Sequence, residues 1–511
     1  MFAISSRWIV RLAPRSLVCN TGIRIMSSQS PFIRDKAYIG GKWVAATNGG
    51  TFEVKNPATG EHLGVVPDMT ESDAVFAIKT ANEAFQSWKS TLARERTLLL
   101  RRLDQLMHEH KDSLAKLISL EMGKPIKEAK GEIMYAASML EWFAEESRRI
   151  YGDVIAAPTK SKRLVVIKQP LGVASLITPW NFPCAMITRK AAAALAAGCT
   201  VVVKPSEDTP YSALALAQLT EEAGFPAGVF NVITSSRSNA AALGHVMCTH
   251  PMSASISFTG STEVGKILMR EAAEGIKRVA LELGGHAPFI VFESADIDAA
   301  VVGAMMAKFR NCGQACVGAN RFLIHSSIYD KFCSKLADAM KSQLVIGDSM
   351  DESVTIGPLI NERAVEKVEK HIKDAVDNGA SIVVGGDRNS RGNNYINPTL
   401  LRDVKPSMLM CQEETFGPVA PLIKFDTEEE AVSIANDTRS GLAGYFYTTN
   451  LLQAWRVAEA LECGLVGINE GLVSTVESPF QGFKESGIGS EASKYGIEEY
   501  LEKKTICFGG L

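Results

Sequence analysis

The sequence predicts an α/β protein built on two doubly wound parallel sheets. Two observations carry this. From about residue 173, short runs rich in Val and Ile alternate with helical stretches closed by glycine or proline, and a second alternating set runs from about 299 to 470. Repeated strand–helix units of this length imply parallel strands joined by crossover helices, with ligands at the carboxyl ends of the strands. At 511 residues the chain is too long for one small core, so two or three domains are expected.

The elements follow in order. Residues 1–30 hold Arg7, Arg11, Arg15 and Arg24 with six serines and no acid. That composition reads as a mitochondrial transit peptide, the plainer alternative being a disordered tail. Cleavage after Arg24 would remove four positive charges and take the net charge from −3 to −7. From about Tyr38 closely spaced turn residues indicate hairpins. Apolar residues at three- and four-residue spacing then predict helices over 72–88, 93–110, 112–122 and 127–150. Extended chain is expected over 163–178, broken at Pro170–Gly172. Strands over 175–178, 200–204, 229–233, 255–259 and 279–283 alternate with helices over 184–197, 212–223, 239–247 and 261–274. In the second set the clearest elements are helices over 361–378 and 427–436 and a strand over 381–385.

Composition excludes some functions. A net charge of −3 gives no basic excess for nucleic acid. No apolar run reaches the roughly 18–20 residues that span a bilayer. The ten cysteines are scattered and none forms a C-x-x-C pair, so no metal site is suggested and reduced thiols are expected.

Five segments carry chemistry. In 309–317, FRNCGQACV, Cys316 sits in a polar, glycine-containing run, and Glu282 stands upstream in LELGG. A thiol can form a covalent intermediate, and a carboxylate near it can activate the water that releases that intermediate. In 178–183, TPWNFP, Asn181 can donate to a developing oxyanion, a contact worth about 3–4 kcal/mol, or it can cap the helix that follows. Lys204 and Glu207 end a strand. There they can bind ribose hydroxyls, the acid favouring NAD over NADP, or form a surface charge pair. Gly260, Ser261 and Gly265 lie at a strand–turn–helix junction able to hold a pyrophosphate, although the G-x-G-x-x-G fingerprint is absent. Glu414 and Phe416, in EETFGP, can position a nicotinamide riboside or simply form a loop.

In this order and spacing the segments resemble the NAD(P)-dependent aldehyde dehydrogenase superfamily, over essentially 35–511. The resemblance implies that Cys316 is the nucleophile, Glu282 the general base and Asn181 the oxyanion donor. Trp180, Lys204, Glu207, Gly260, Ser261, Gly265, Glu414 and Phe416 match cofactor positions, and NAD is the expected cofactor. It further implies an NAD-binding domain over 31–150 and 173–283 and a catalytic domain over 284–485. Segments 151–172 and 486–511 would form a small β layer through which dimers pair into tetramers. The thiol would need its pKa depressed or a base lent to it.

Arg189 and Arg310 lie close in sequence to Asn181 and Cys316, which suits a substrate carrying a distal carboxylate, with Ser474 as a further donor; both arginines can instead make structural ion pairs. The stretches MITRK (186–190), KFRN (308–311) and SKYGIEEYL (493–501) resemble the succinate-semialdehyde dehydrogenase group. That resemblance implies oxidation of succinate semialdehyde in 4-aminobutyrate breakdown, in the mitochondrial matrix. Two departures stand out. Gly318 replaces the second cysteine that many members carry, leaving Cys312 as the candidate partner for redox pairing, and Gln481 stands where glycine is usual. The rival readings are a relative acting on glutarate semialdehyde or a neutral aldehyde, and a non-catalytic protein that keeps the fold. A papain-like hydrolase has no signature around Cys316.

Overall fold

The computed structural model describes residues 30–511. The segment expected as a transit peptide lies, save its last residue, outside them. The molecule is α/β, with two large sheets. In the first, five parallel strands run in the order Phe230–Val232, Thr200–Lys204, Val173–Ile177, Ser253–Thr259 and Arg278–Glu282. The hairpin Ala37–Ile39 and Lys42–Val44 covers one edge antiparallel, and Gly487–Ile488 returns from the far end of the chain to cover the other. The second sheet orders Ser381–Val384, Thr399–Arg402, Val419–Phe425, Ala319–His325, Ala287–Val291, Ala443–Tyr447 and Leu465–Ile468, parallel except for its first strand. Central strands such as Val173–Ile177, Thr200–Lys204 and Ala287–Val291 are buried throughout, as parallel strands with both faces covered must be.

Helices form where apolar spacing placed them: Glu71–Trp88, Ala93–Glu109, Lys111–Met122, Ile126–Glu146, Ala185–Ala197 and Glu362–Asp377. The fourth stops at Glu146, short of the expected 150. The extended stretch expected over 163–178 divides into strands of two different sheets. Lys162–Pro170 pairs antiparallel with Leu501–Gly509 and Asp153–Ile155 in a separate three-stranded sheet, whereas Val173–Ile177 lies at the heart of the first. Pro170 ends the middle strand of that small sheet, and Gly172, at φ 142°, takes a backbone angle open to glycine that redirects the chain.

Helix Ala185–Ala197 is buried at every position, including Arg189 and Lys190. A helix buried all round has no face for a free charge, so both cations need an internal partner.

Only residues 283–286 separate the last parallel strand of the first sheet, Arg278–Glu282, from the first strand in sequence of the second, Ala287–Val291. Within this link a Cβ on Gly285 would overlap the backbone carbonyl oxygen of Cys316. The link and the Cys316 loop are therefore packed backbone against backbone. Gly285→Ala is expected to cost about 1–3 kcal/mol, as overpacking does, and to lower the thermal midpoint. An unchanged melting curve by circular dichroism would show that the link yields freely.

Candidate active site

The chain leaves strand Val173–Ile177 and turns before helix Ala185–Ala197, placing Asn181 in the turn. The helix N-terminus is capped from elsewhere: Glu132 Oε1 accepts from the backbone N–H of Cys184 (2.9 Å) and Ala185 (3.3 Å). Asn181 is thereby relieved of the capping role. Its Nδ2 donates to the Gln314 carbonyl at 3.2 Å, and its Oδ1 is buried with no partner. The Asn181 carbonyl accepts from Lys124 Nζ (2.8 Å) and Asn311 Nδ2 (2.9 Å). Lys124 is itself fully buried in an ion pair with Glu132.

The loop carrying Cys316 follows helix Ile297–Phe309. Asn311 and Cys312 both take left-handed backbone angles, φ 52° and 55°, a strain of order 1–3 kcal/mol per residue that surrounding bonds must offset. Those bonds are present. The Asn311 N–H donates to Glu128 Oε2 (2.7 Å), Gln314 Nε2 donates to the Asn311 carbonyl (3.1 Å), and Gln314 Oε1 accepts from the Ile360 N–H (2.9 Å).

Beside this loop lies a cavity of about 300 Å³ whose lining includes Asn181, Arg189, Arg310, Cys316 and Ser474. The structure thus brings together five of the residues singled out from sequence. The two arginines differ. Arg189 stands over the Phe480 ring, 3.9 Å from its centroid, with Nη2 2.6 Å from Glu491 Oε2, close but not aligned as a hydrogen bond. Lys190 pairs with the other Glu491 oxygen. Arg310 has no carboxylate partner among the described residues and lies over the Phe182 ring at 5.6 Å. The structural ion-pair alternative therefore describes Arg189 in part and Arg310 not at all.

Glu282 ends strand Arg278–Glu282 and is not part of the cavity lining. It is 3% exposed, and both carboxyl oxygens lack a partner. Burial, then the nearby Glu491 carboxylate, push its pKa well above the usual carboxylate range, while Arg189 and Lys190 pull the other way. The Cys316 thiol is expected to be depressed or lent a base. Here burial pushes it up to about 12, Glu414 and Glu282 adding to the shift and Arg189 opposing it. Cys312 is buried and its thiol is also raised by burial.

The residues matched to cofactor binding lie outside that cavity lining. Gly260 donates its N–H to the Glu282 carbonyl (3.0 Å), and Ser261 Oγ caps helix Thr262–Ala272 by accepting from the Val264 N–H (3.3 Å). A Cβ on Gly265 would overlap Leu283, so this helix start lies tight on the sheet. Glu414 Oε1 accepts from the Gly285 N–H (3.3 Å), and burial raises its carboxyl to about 7. Trp180 and Phe416 meet edge to face at 5.6 Å. Lys204 is buried, its Nζ on the Pro205 carbonyl (3.2 Å), and Glu207 lies 3.8 Å from Arg237. A capped helix N-terminus packed close to the sheet, a lysine and an acid at the end of a strand, and an acid beside the inter-sheet link fit a dinucleotide.

Residues 43–506 match the aldehyde dehydrogenase family. The chain belongs to that family. It is 59% identical over 479 residues to the mitochondrial succinate-semialdehyde dehydrogenase of Mus musculus, covering 94% of this chain and 91% of that one. It is 54% identical over 478 residues to a glutarate-semialdehyde dehydrogenase of Pseudomonas aeruginosa, covering 94% and 98%. The crystal structure of an NADP-dependent enzyme from E. coli superposes with a TM-score of 0.92 at 55% identity, covering 94% and 98%.

Sequence reasoning missed Lys124, Glu128, Glu132, Tyr135 and Glu491. A faint signal existed in the spacing of Glu128, Gly131, Glu132 and Tyr135, one stripe of helix Ile126–Glu146 that also lines the cavity.

With its thiol near 12, Cys316 of this aldehyde dehydrogenase holds little thiolate at neutral pH when no cofactor is bound. Alkylation of the free enzyme by iodoacetamide, followed at Cys316 by mass spectrometry, should accelerate about tenfold per pH unit between pH 7 and 9. A rate that levels off below pH 9 would contradict the burial argument.

Proposed function

We propose that this aldehyde dehydrogenase oxidises succinate semialdehyde to succinate with NAD+, in 4-aminobutyrate degradation, through a thioester on Cys316. The observation that carries the reading is the unpaired Arg310 guanidinium in the cavity that also holds Cys316. Arg310 is half-buried, so its guanidinium loses part of its hydration with no carboxylate to offset the loss unless a ligand supplies one. The substrate's distal carboxylate does so, with Arg189 and Ser474 as further donors.

Each residue then has a task. Cys316 attacks the aldehyde carbon as thiolate, its proton leaving to solvent or to a neighbouring base. Asn181 Nδ2 and the Cys316 backbone N–H hold the resulting oxyanion. Trp180, Lys204, Glu207, Gly260, Ser261, Gly265, Glu414 and Phe416 would hold the dinucleotide, which when bound accepts the hydride and leaves an acyl group on the Cys316 sulphur. Glu282 takes a proton from the water that hydrolyses that thioester, and its raised pKa makes it a stronger base than an exposed carboxylate.

Glu207 supports NAD+ over NADP+, since an acid that accepts from a 2′-hydroxyl repels a 2′-phosphate. The arginine-rich N-terminus and the mitochondrial relative support placement in the mitochondrial matrix. The domain division is read as 31–150 with 173–283 for the cofactor and 284–485 for catalysis. The three-stranded sheet supports a homotetramer, because Val154, 82% exposed, and Phe508, 52% exposed, leave apolar side chains for a second copy to cover. A second reading, glutarate semialdehyde as substrate, is favoured by the Pseudomonas relative. Comparing kcat/KM for the two aldehydes separates them.

Arg310→Ala is the cleaner probe of the carboxylate site, because Arg189→Ala also strips Glu491 of a partner. Arg310→Ala should lower kcat/KM for succinate semialdehyde about 100-fold, on the scale of about 3 kcal/mol for a buried charge pair, and affect the methyl ester far less. Equal losses on both substrates would sink the assignment. Glu207→Gln should raise the NADP+-to-NAD+ ratio of kcat/KM by about tenfold, one charge-assisted bond being exchanged for relieved repulsion. An unchanged ratio would remove Glu207 from cofactor selection.

A further inference from the structure

Helix Ile126–Glu146 turns Glu128, Gly131, Glu132 and Tyr135 toward the cavity. Three of the four are engaged elsewhere or carry no polar side chain. Glu128 accepts from the Asn311 N–H, Glu132 holds Lys124 and the start of helix Ala185–Ala197, and Gly131 has no side chain. Tyr135 is different. Its hydroxyl oxygen is buried and has no hydrogen-bond partner among the described residues. Arg189, Arg310 and Cys316 are all close enough to act on the phenol electrostatically. Burial raises the phenol's pKa above its ordinary value, so the group is an O–H donor at any working pH.

A donor beside two guanidinium groups needs a ligand atom that can accept from more than the guanidiniums. A carboxylate offers two oxygens and about four lone-pair sites, more than Arg310 and the Glu491-held Arg189 use. An aldehyde oxygen at the Cys316 end has Asn181 for its donor. We propose that the Tyr135 hydroxyl is a substrate-binding group, a third donor to the distal carboxylate beside Arg310 and Arg189. This rests on the substrate class proposed above. The phenol ring packs against the apolar core and sets the height of the hydroxyl, so the helix that fixes the Cys316 loop through Glu128 also fixes this contact.

Tyr135→Phe removes the hydroxyl and keeps the ring, and turnover of the methyl ester of succinate semialdehyde reports whether the variant is folded and chemically competent. For the NAD+-saturated enzyme, kcat/KM on succinate semialdehyde should fall about tenfold, chiefly through KM, the scale of a hydrogen bond to a charged group. The ester should change less than about twofold. Equal losses on acid and ester, or no loss on the acid, would overturn the assignment. Arg310→Ala run in parallel separates the two readings. If the wild type prefers the acid and Arg310→Ala loses that preference while Tyr135→Phe keeps it, the tyrosine assignment alone fails. If the wild type shows no preference for the acid, both fall.

Discussion

The interaction on which the rest depends is the buried cluster of Arg189, Lys190 and Glu491. Two cations sit in a helix that is buried on every side, and one carboxylate from near the C-terminus answers both. Removing one partner of such a set is costly because it strands an unpaired charge away from water. The consequences reach outward. Glu491 pairs its backbone with Phe480, the ring beneath Arg189, so one short bridge supplies both the floor and the counter-charge of that guanidinium. Ala492 and Ser493 follow in left-handed backbone angles, φ 57° and 52°, a strain tolerated because the residue before them is anchored. The same carboxylate adds to burial in raising the Glu282 pKa. Substrate cavity, proposed base and chain end are thus electrostatically one unit.

A second buried pair does comparable work nearer the proposed nucleophile. Lys124 and Glu132 neutralise each other in the core, and each spends its remaining hydrogen-bonding capacity on a backbone, Lys124 on the Asn181 carbonyl and Glu132 on the start of the following helix. Asn311 reaches the same Asn181 carbonyl from the other loop. The Asn181 turn and the Cys316 loop are therefore held against each other, through these main-chain contacts and through Asn181 Nδ2 on the Gln314 carbonyl. Preorganisation of this kind is what lets a donor stabilise charge without first reorienting.

The fold was largely legible in the sequence because parallel strands buried on both faces write themselves as unbroken Val/Ile runs, of which 200–204 is the plainest. The Cys316, Glu282 and Asn181 segments were legible because a thiol, a carboxylate and an amide stand in short motifs whose order is itself informative. Other features left no local trace. The split of 163–178 between two sheets depends on Leu501–Gly509, more than 300 residues away, offering a partner to one half only. Glu491, Lys124 and Glu132 are single charges in apolar surroundings, and nothing in their own stretches names the distant groups that neutralise them. The raised thiol could not be read either, because it results from how deeply the loop is buried and which carboxyls pack near it.

Helix Ile126–Glu146 acts as a ruler. Glu128 fixes the loop that carries the sulphur, and Tyr135 stands seven residues further along the same rigid rod, roughly 10 Å at 1.5 Å per residue. The spacing between the Glu128 contact to the Cys316 loop and the Tyr135 hydroxyl is therefore set by helix pitch rather than by flexible loops. On the proposed Tyr135 contact, ω-oxo acids that differ by one methylene meet that same fixed spacing.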